Sequence, residues 1–317
     1  MSKKTYRVRN WSQYNKSLVK RGDITFWFSP EMIKEWTEGG NQNTHGNQVY
    51  PDMIILCALT LRQLYRLPLR ATEGLMASLA QLMHLNVSIP HYSTLSRRGK
   101  NLNISLAAQR VKEPIHVLVD STGIQIIGGT EWKFNKYGKD KTRYQLWRKL
   151  HIAMDADHHT ILSAKMTDSV RLDGNYLAGL IDQIKQPIKQ ITADGAYDKK
   201  RCYQKAYQRG AKPVFPPQHN ACLQRNKYKK DPALLARDQA IKTIGRGIDR
   251  KERLKQWKEN HNYHRRSLIE TMMFRMKTLF GDQLRSRCLE NQQTDLLIRC
   301  RAINLMNTLG MPKSEAA

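Results

Sequence analysis

Apolar runs of strand length constrain the fold of this chain most strongly. Four such runs lie between residues 115 and 193: IHVLVD, LHIAMDA, ILSAKMT and QITA. The polar DADHH between the second and third runs predicts a hairpin, and helical segments are expected at 175–184 and 198–208. Strands first, followed by alternating helix and strand, predict a mixed α/β sheet.

The segment before these strands has a helical pattern instead. Pro51 is a good helix-start residue and precedes the apolar run MIILCALTLRQLYRL. A second helix is expected from about Arg70 to His84, and a shorter one through HYSTLSRRGKNL. Helix, turn and short basic helix is the outline of a helix-turn-helix.

The chain is strongly basic, which indicates an anionic partner. It has 54 Lys and Arg against 27 Asp and Glu, a net charge of +27 in 317 residues. The self-repulsion of such a chain is relieved by nucleic acid or an anionic membrane. Its most apolar stretch, Met53–Leu61, is too short to span a bilayer, and no secretory leader is visible. We therefore expect nucleic acid and no membrane.

The cysteines indicate neither a metal ribbon nor a disulfide framework. They are odd in number, scattered and without a CxxC pair, which fits free thiols in a reducing cytoplasm. The five are Cys57, Cys202, Cys222, Cys288 and Cys300.

Three acidic residues stand out by their surroundings. Asp120 ends the apolar run IHVLVD, Asp194 follows QITA, and Glu270 lies within a predicted helix. Two strand-end carboxylates and one helical carboxylate can hold a pair of Mg²⁺ ions for phosphoryl transfer on DNA. Taken singly, each has a structural reading, as a cap, a turn residue or a surface ion-pair partner.

A polar stripe accompanies the third acid. Tyr263, Arg266, Glu270 and Lys277 are spaced so that they fall along one side of a helix whose other residues are mostly apolar. A solvated helix face would also carry Arg and Lys, but it has no particular need of the tyrosine. The stripe therefore favours a packed helix with one functional edge.

These motifs together resemble the bacterial insertion-sequence DDE transposases of the IS-five family. The third-acid signature of that class (Tyr, two residues, Arg, three residues, Glu, six residues, Lys) is complete in the stripe just described. DSTG at Asp120 and DGAYD at Asp194 resemble the first two acid blocks. LPLRATEGL and PHYSTLSRR resemble the N-terminal part, so the resemblance covers roughly residues 46–277.

The resemblance implies a ribonuclease H-like catalytic core. We expect an N-terminal helical DNA-binding region over residues 1–110 and a catalytic domain over residues 111–310. The gap between Asp194 and Glu270 is long for a bare core, so a basic insertion is expected at about 205–260. From Lys199 to Arg266 the chain carries 20 Lys and Arg against 5 Asp and Glu, a net charge of +15.

The resemblance also implies an activity. Asp120 and Asp194 would bind both Mg²⁺ ions, with Mn²⁺ as a substitute, and Glu270 would bind one. The enzyme would nick the ends of its element and join the freed 3′-OH to target DNA directly. Tyr263, Arg266 and Lys277 would position DNA phosphates or the carboxylates. A homodimer or higher assembly in the bacterial cytoplasm, on the nucleoid, would handle two ends together.

The short basic helix is the candidate for recognition of the terminal inverted repeats. Hydroxyl groups and arginines suit base edges and phosphates, although a surface helix without groove contacts would look the same. The residues expected to touch DNA are Ser93, Thr94, Arg97 and Arg98.

Two other functions share part of this pattern. A sequence-specific DNA-binding protein with an inactive core would have the same charge and N-terminal helices, but it does not need three acids. Another ribonuclease H-like metal nuclease would need the acids, but not the N-terminal segment or the full signature. Among further acids, Asp155 is the rival to Asp194, whereas His151 reads as a satisfied core residue.

Overall fold

The computed structural model describes residues 6–39, 43–44, 47–48, 50–106, 113–127, 147–225 and 230–316. The chain forms two compact units: Met1–Ser105 with Arg285–Ala317, and Leu106–Leu284. The C-terminal helix thus groups with the N-terminal helices, and the division into a DNA-binding region and a catalytic domain stays a prediction. In the part of the chain that the structure describes, none of the helices has both the length and the apolar character needed to cross a membrane.

The helices and strands follow one another in this order: β1 (Tyr6–Val8), α1 (Trp11–Arg21), α2 (Pro30–Gly39), β2 (Asn43–Thr44), β3 (Asn47–Gln48), α3 (Asp52–Leu64), α4 (Leu69–Leu82), α5 (Tyr92–Gly99), β4 (Ile115–Ile126), β5 (Trp147–Asp155), β6 (Ile161–Asp168), α6 (Leu177–Asp182), β7 (Ile188–Thr192), α7 (Lys200–Gln208), β8 (Lys212–Val214), α8 (Leu235–Ile244), α9 (Arg250–Asn260), α10 (Ser267–Phe280), β9 (Gln283–Leu284), α11 (Leu289–Thr308) and β10 (Ser314–Ala316).

The first unit is built around α3, which is apolar on nearly all sides and therefore buried. It packs against α4, α5 and α11, and the termini meet where β1 pairs with β10. A buried ion pair joins two of these helices, with Arg62 Nη1 2.9 Å from Asp295 Oδ1. The helices predicted before residue 110 are present. The connection between α4 and α5 spans residues 83–91, longer than the three or four residues of a helix-turn-helix turn, so that motif stays a prediction.

The second unit contains a mixed sheet with strand order β6-β5-β4-β7-β8. β5 is antiparallel to β4 and to β6, whereas β7 and β8 run parallel to β4. β9 pairs in parallel with the far end of β4. The mixed α/β sheet predicted from the apolar runs is thereby confirmed.

The central strand β4 is longer than the sequence suggested. Asp120 was expected to end it, but the strand continues to Ile126 because β5 pairs along it as far as Gln125, and β9 pairs with its last two residues. Asp120 is therefore an interior residue of β4. The first half of the strand is fully buried and the second half is partly open, so Asp120 stands where the burial of the strand changes.

The segment between β8 and α10 folds onto the edge of the sheet. Val214 of β8 packs with Ala240 and Ile244 of α8 and with Trp257 of α9 in a small apolar core. The basic insertion expected at about 205–260 stays a prediction, and the first ten residues of that range contribute to α7 and β8 of the sheet layer. Among the described aromatic residues of α7 and this segment, Tyr203, Phe215 and Trp257 are buried, whereas Tyr207 is exposed.

Candidate active site

Strand register brings the first two predicted acids to the same level. Leu118 of β4 pairs in parallel with Thr192 of β7. Asp120 and Asp194 each lie two residues further along their segments, so the two acids are at the same level. Side chains two residues apart in a strand point to the same face, which puts both carboxylates on one side of the sheet. Asp194 also caps the 3₁₀ turn Gly195–Tyr197, accepting a hydrogen bond from the Ala196 amide at 2.9 Å.

Arg266 brings the third acid to the first. Its Nη1 donates to Asp120 Oδ2 at 2.8 Å, and its Nη2 pairs with Glu270 Oε1 one helical turn later. The other Asp120 oxygen accepts the Ser121 amide at 2.8 Å. The side chains of Asp120 and Arg266 are mostly buried, whereas Glu270 is half exposed. One guanidinium therefore bridges two of the three predicted acids.

The helix that carries Glu270 begins later than the sequence stripe suggested. Asn262 takes a left-handed conformation with φ of 53°, and Tyr263–Arg266 form a 3₁₀ turn before α10 starts at Ser267. Glu270 consequently lies in the first turn of α10 and not in mid-helix. The helix dipole favours a carboxylate in this first turn. Lys277 lies two turns further along α10 and is half-buried.

Neighbouring arginines fix this 3₁₀ turn from two sides. Arg265 Nη2 donates to the Ala156 carbonyl at 2.9 Å and pairs with Asp157 at 2.6 Å, both in the β5–β6 hairpin. Arg266 turns the other way, to Asp120. Two cations lie near the Tyr263 ring, with Lys258 Nζ 5.1 Å and Arg266 Cζ 5.8 Å from its centroid.

The electrostatics of the site disfavour further negative charge. Burial raises the pKa of Asp120, and the nearby Asp194 and Glu270 raise it further, against the lowering effects of the Ser121 amide and Arg266. Burial likewise raises the pKa of Tyr263. Burial lowers the pKa of Arg266, but Tyr263, Asp120 and Glu270 raise it overall. Added positive charge beside Asp120 would favour its ionised form.

Asp155, the rival to Asp194, lies at the hairpin end of β5 and not at the level of Asp120. It stands at the end of β5, opposite Val117 and three residues along from the level of Asp120. Its carboxylate accepts a hydrogen bond from the Asp157 amide at 2.9 Å and contacts His158 Nδ1 at 2.6 Å. Both contacts stabilise the turn between β5 and β6.

The predicted DNA-contact residues lie on α5 in the first unit. Ser93 and Thr94 are half-buried and Arg97 is exposed, with Nη2 3.5 Å from the Thr94 hydroxyl. Arg98 forms an ion pair with Asp52. Of the four, Arg97 is therefore the side chain most available to a phosphate.

Sequence reasoning missed one acid beside the site. Asp173 Oδ1 accepts the Ser121 hydroxyl at 2.9 Å and pairs with Lys149 Nζ at 3.0 Å. His151 stands next to it, with Nδ1 3.6 Å from the same oxygen. Asp173 lies in a polar stretch after β6 that has no periodicity, so nothing in the sequence separated it from other turn aspartates.

Comparison with known proteins identifies the family. Residues 112–305 match a family model described as Transposase DDE domain, and residues 19–129 match a second model with the same description. Because the first match covers more than half of the chain, this protein belongs to the DDE transposases. Among solved structures, this chain matches the cryo-EM structure of the piggyBac transposase synaptic complex with hairpin DNA, with 10% sequence identity, a TM-score of 0.39, and coverage of 96% of this chain and 76% of that one.

DDE transposases use divalent metal ions, and the donor chemistry here suits them. Carboxylate oxygens are the ligands that Mg²⁺ prefers, and the raised pKa of Asp120 marks a place where added positive charge is favourable. Within the described residues, no three His, Cys, Asp or Glu side chains converge closely enough to hold a metal ion. The guanidinium of Arg266 lies between Asp120 and Glu270, so this group has to move before both carboxylates can face one cation.

Proposed function

We propose that this protein is a DNA transposase of the IS-five type, which nicks the ends of its insertion sequence and joins the freed 3′-OH ends to target DNA by direct transesterification. The observation that carries the proposal is the Arg266 bridge between Asp120 and Glu270, with the register of β4 and β7 bringing Asp194 to the same level. These contacts between distant parts of the sequence support the proposal.

A ribonuclease H-like core is the fold that we propose for the second unit. The order of its five main strands supports this, because the second and third strands form an antiparallel hairpin beside the first, and the fourth and fifth continue in parallel on its other side. The first acid lies on the first strand and the second directly after the fourth.

We propose roles for the three acids and for their basic neighbours. Asp120 and Asp194 would hold two Mg²⁺ ions, or Mn²⁺ as a substitute, and Glu270 would hold one of them. When bound, the ions supply charge neutralisation at the attacking and leaving oxygens of the phosphate. Arg266, once it releases Asp120, would join Tyr263 and Lys277 in binding DNA phosphates.

The partner that we propose is double-stranded DNA, both as the element ends and as the target. A net charge of +27 supports a polyanion, and the basic segment up to Arg266 supplies phosphate contacts without sequence preference. On α5, Ser93, Thr94, Arg97 and Arg98 would recognise the terminal inverted repeats. A homodimer or larger assembly would hold two ends together, in the cytoplasm of a bacterium and on its nucleoid.

The test is incubation of the purified protein with DNA that carries its own element ends, a target plasmid and Mg²⁺. The expected result is nicked ends and a covalently joined product, both lost in EDTA. A protein that binds the ends without cutting them would instead be a DNA-binding protein with an inactive core. A protein that cuts DNA without joining it would be a nuclease on the same fold.

A further inference from the structure

Asp173 links the strand of the first acid to its surroundings. It begins the 3₁₀ turn Asp173–Asn175, and its side chain is 19% exposed. Through Oδ1 it accepts the hydroxyl of Ser121, the residue that directly follows Asp120 on β4. The same oxygen pairs with Lys149 Nζ at 3.0 Å, so the charge of Asp173 is already neutralised by the protein.

The turn of Asp173 also packs on the turn that follows the second acid. A Cβ atom on Gly174 would come within 3.3 Å of the Ala196 carbonyl and 3.1 Å of the Lys199 side chain. Cys202 Sγ donates to the Gly174 carbonyl at 3.3 Å. This close fit fixes the turn Asp173–Asn175 against the segment that starts at Asp194.

Two buried polar atoms near this acid have no hydrogen-bond partner among the residues that the structure describes. One is His151 Nδ1, which is fully buried and 3.6 Å from Asp173 Oδ1. The other is the hydroxyl of Tyr197, a residue that is 1% exposed and lies in the turn after Asp194. Burial raises the pKa of Tyr197, and the negative charges of Asp173, Asp120 and Asp194 raise it further. Unpartnered buried polar atoms are rare in folded proteins.

We propose that Asp173 is a positioning residue of the catalytic centre, which sets the separation of Asp120 and Asp194 by joining Ser121 to the turn after Asp194. The inference rests on the proposed function. Asp173 acts through the protein chain and not as a further metal ligand, because Lys149 takes up its charge. What the role requires of residue 173 is an oxygen that accepts the Ser121 hydroxyl.

The test compares Asp173→Ala, Asp173→Asn, Ser121→Ala and the double variant Ser121→Ala/Asp173→Ala. Two quantities are measured on each full-length protein: the rate of end cleavage, and the midpoint of a calorimetric Mn²⁺ binding titration without DNA. Loss of a residue that orients metal ligands typically costs 10- to 100-fold in metal affinity or activity. For Asp173→Ala and for Ser121→Ala we expect the cleavage rate to fall, and the Mn²⁺ midpoint to rise, by about that factor.

The conservative variant distinguishes a positioning role from a charge role. Asp173→Asn keeps an acceptor oxygen for Ser121, so we expect it to stay within about threefold of the wild type. The double variant is expected to lose no more than either single variant, because both remove one link. Equal damage from Asp173→Asn and Asp173→Ala, or multiplied losses in the double variant, would overturn the proposal.

A matched control separates positioning from loss of folding. Asp155 is a buried aspartate in the same sheet, held by Asp157 and His158 in the hairpin. Asp155→Ala is expected to lower Tm while the Mn²⁺ midpoint stays unchanged. A wild-type protein that binds Mn²⁺ but does not cleave would contradict the proposed function alone, since the Mn²⁺ midpoints still decide the role of Asp173. A wild-type midpoint in Asp173→Ala would contradict the inference alone, and no Mn²⁺ response in the wild type would contradict both.

Discussion

Arg266 donates a hydrogen bond to Asp120 at 2.8 Å across 146 positions of the sequence. The same guanidinium reaches Glu270, so one side chain ties the central strand to the helix of the third acid. A planar fork with several donors can serve two carboxylates at once, which an ammonium group cannot do as well. The contact therefore holds the acids near one another before any cation is bound.

Replacing Arg266 with Lys should lower the rate of end cleavage by about 10- to 100-fold, because an ammonium group lacks the planar fork of donors that would bind a DNA phosphate once Asp120 is released. Arg265→Lys is the matched control, since that arginine pairs with Asp157 in the hairpin. The control should lower the free energy of unfolding by about 1 kcal/mol and leave cleavage nearly intact. Single-turnover assays measure the cleavage rate of each variant, and urea unfolding measures its stability. Equal cleavage rates for the two variants would contradict the role of Arg266.

Replacing Glu270 with Gln should reduce cleavage at least about 100-fold while binding to end DNA stays nearly unchanged, because a metal ligand is lost and not a phosphate contact. Stability should change little, since the exposed pair with Arg266 is worth at most about 1 kcal/mol. Glu290, also exposed and in the first turn of a helix, provides the control Glu290→Gln. Normal cleavage by Glu270→Gln would remove Glu270 from the site.

Arg97 and Arg98 are adjacent on α5 but differ in their partners. Arg97→Ala should weaken binding to element ends and reduce the slope of log K against log salt by about 1, as expected for a lost phosphate contact. Arg98→Ala should have the smaller effect, because its charge is already paired with Asp52. Filter binding between low and moderate salt measures both slopes. Unchanged binding by Arg97→Ala would contradict the recognition role of α5.

The buried ion pair of the first unit predicts a large loss of stability. Asp295→Ala should lower the free energy of unfolding by about 3–5 kcal/mol, because the charge of Arg62 is left buried without its partner. The partly exposed pair of Arg148 and Asp168 gives the comparison, and Asp168→Ala should change stability by about 0.5 kcal/mol or less. Urea unfolding followed by circular dichroism measures both, and similar losses would contradict the prediction.

Two buried histidines predict acid sensitivity. Burial lowers the pKa of His116 and of His151 to about 4, from about 6.5 in an unfolded chain. The folded protein therefore binds fewer protons than the unfolded one in this window. Their contribution to stability is complete above pH 6.5 and is lost as the pH falls towards 4, by up to about 3 kcal/mol each.

The variant His116→Gln should flatten this pH dependence. Gln can still reach the Thr192 hydroxyl, which His116 contacts at 2.8 Å, but it does not titrate. Urea unfolding at several pH values between 7 and 4 gives the free energy of unfolding as a function of pH for the wild type and for His116→Gln. Parallel curves for the wild type and the variant would show that His116 does not contribute.

The sequence predicted the layout of the sheet and the candidate acids, because apolar runs and their order are local information. It did not predict that β4 continues past Asp120, because STGIQI reads as a turn and becomes a strand only through pairing with β5 and β9. It also gave no reason for Arg265 and Arg266 to point in opposite directions. Asp173 was missed because its role depends on contacts with Ser121 and Lys149, which are distant in the sequence.

The helix α10 is fastened to β4 at two points. Near its start Arg266 bonds to Asp120, and just after its end Gln283 pairs with Gln125 of the same strand. The stretch between these attachments has a fixed length. Adding or deleting one residue there would rotate the rest of the helix by about 100° and release one end, so this stretch should tolerate no change in residue count.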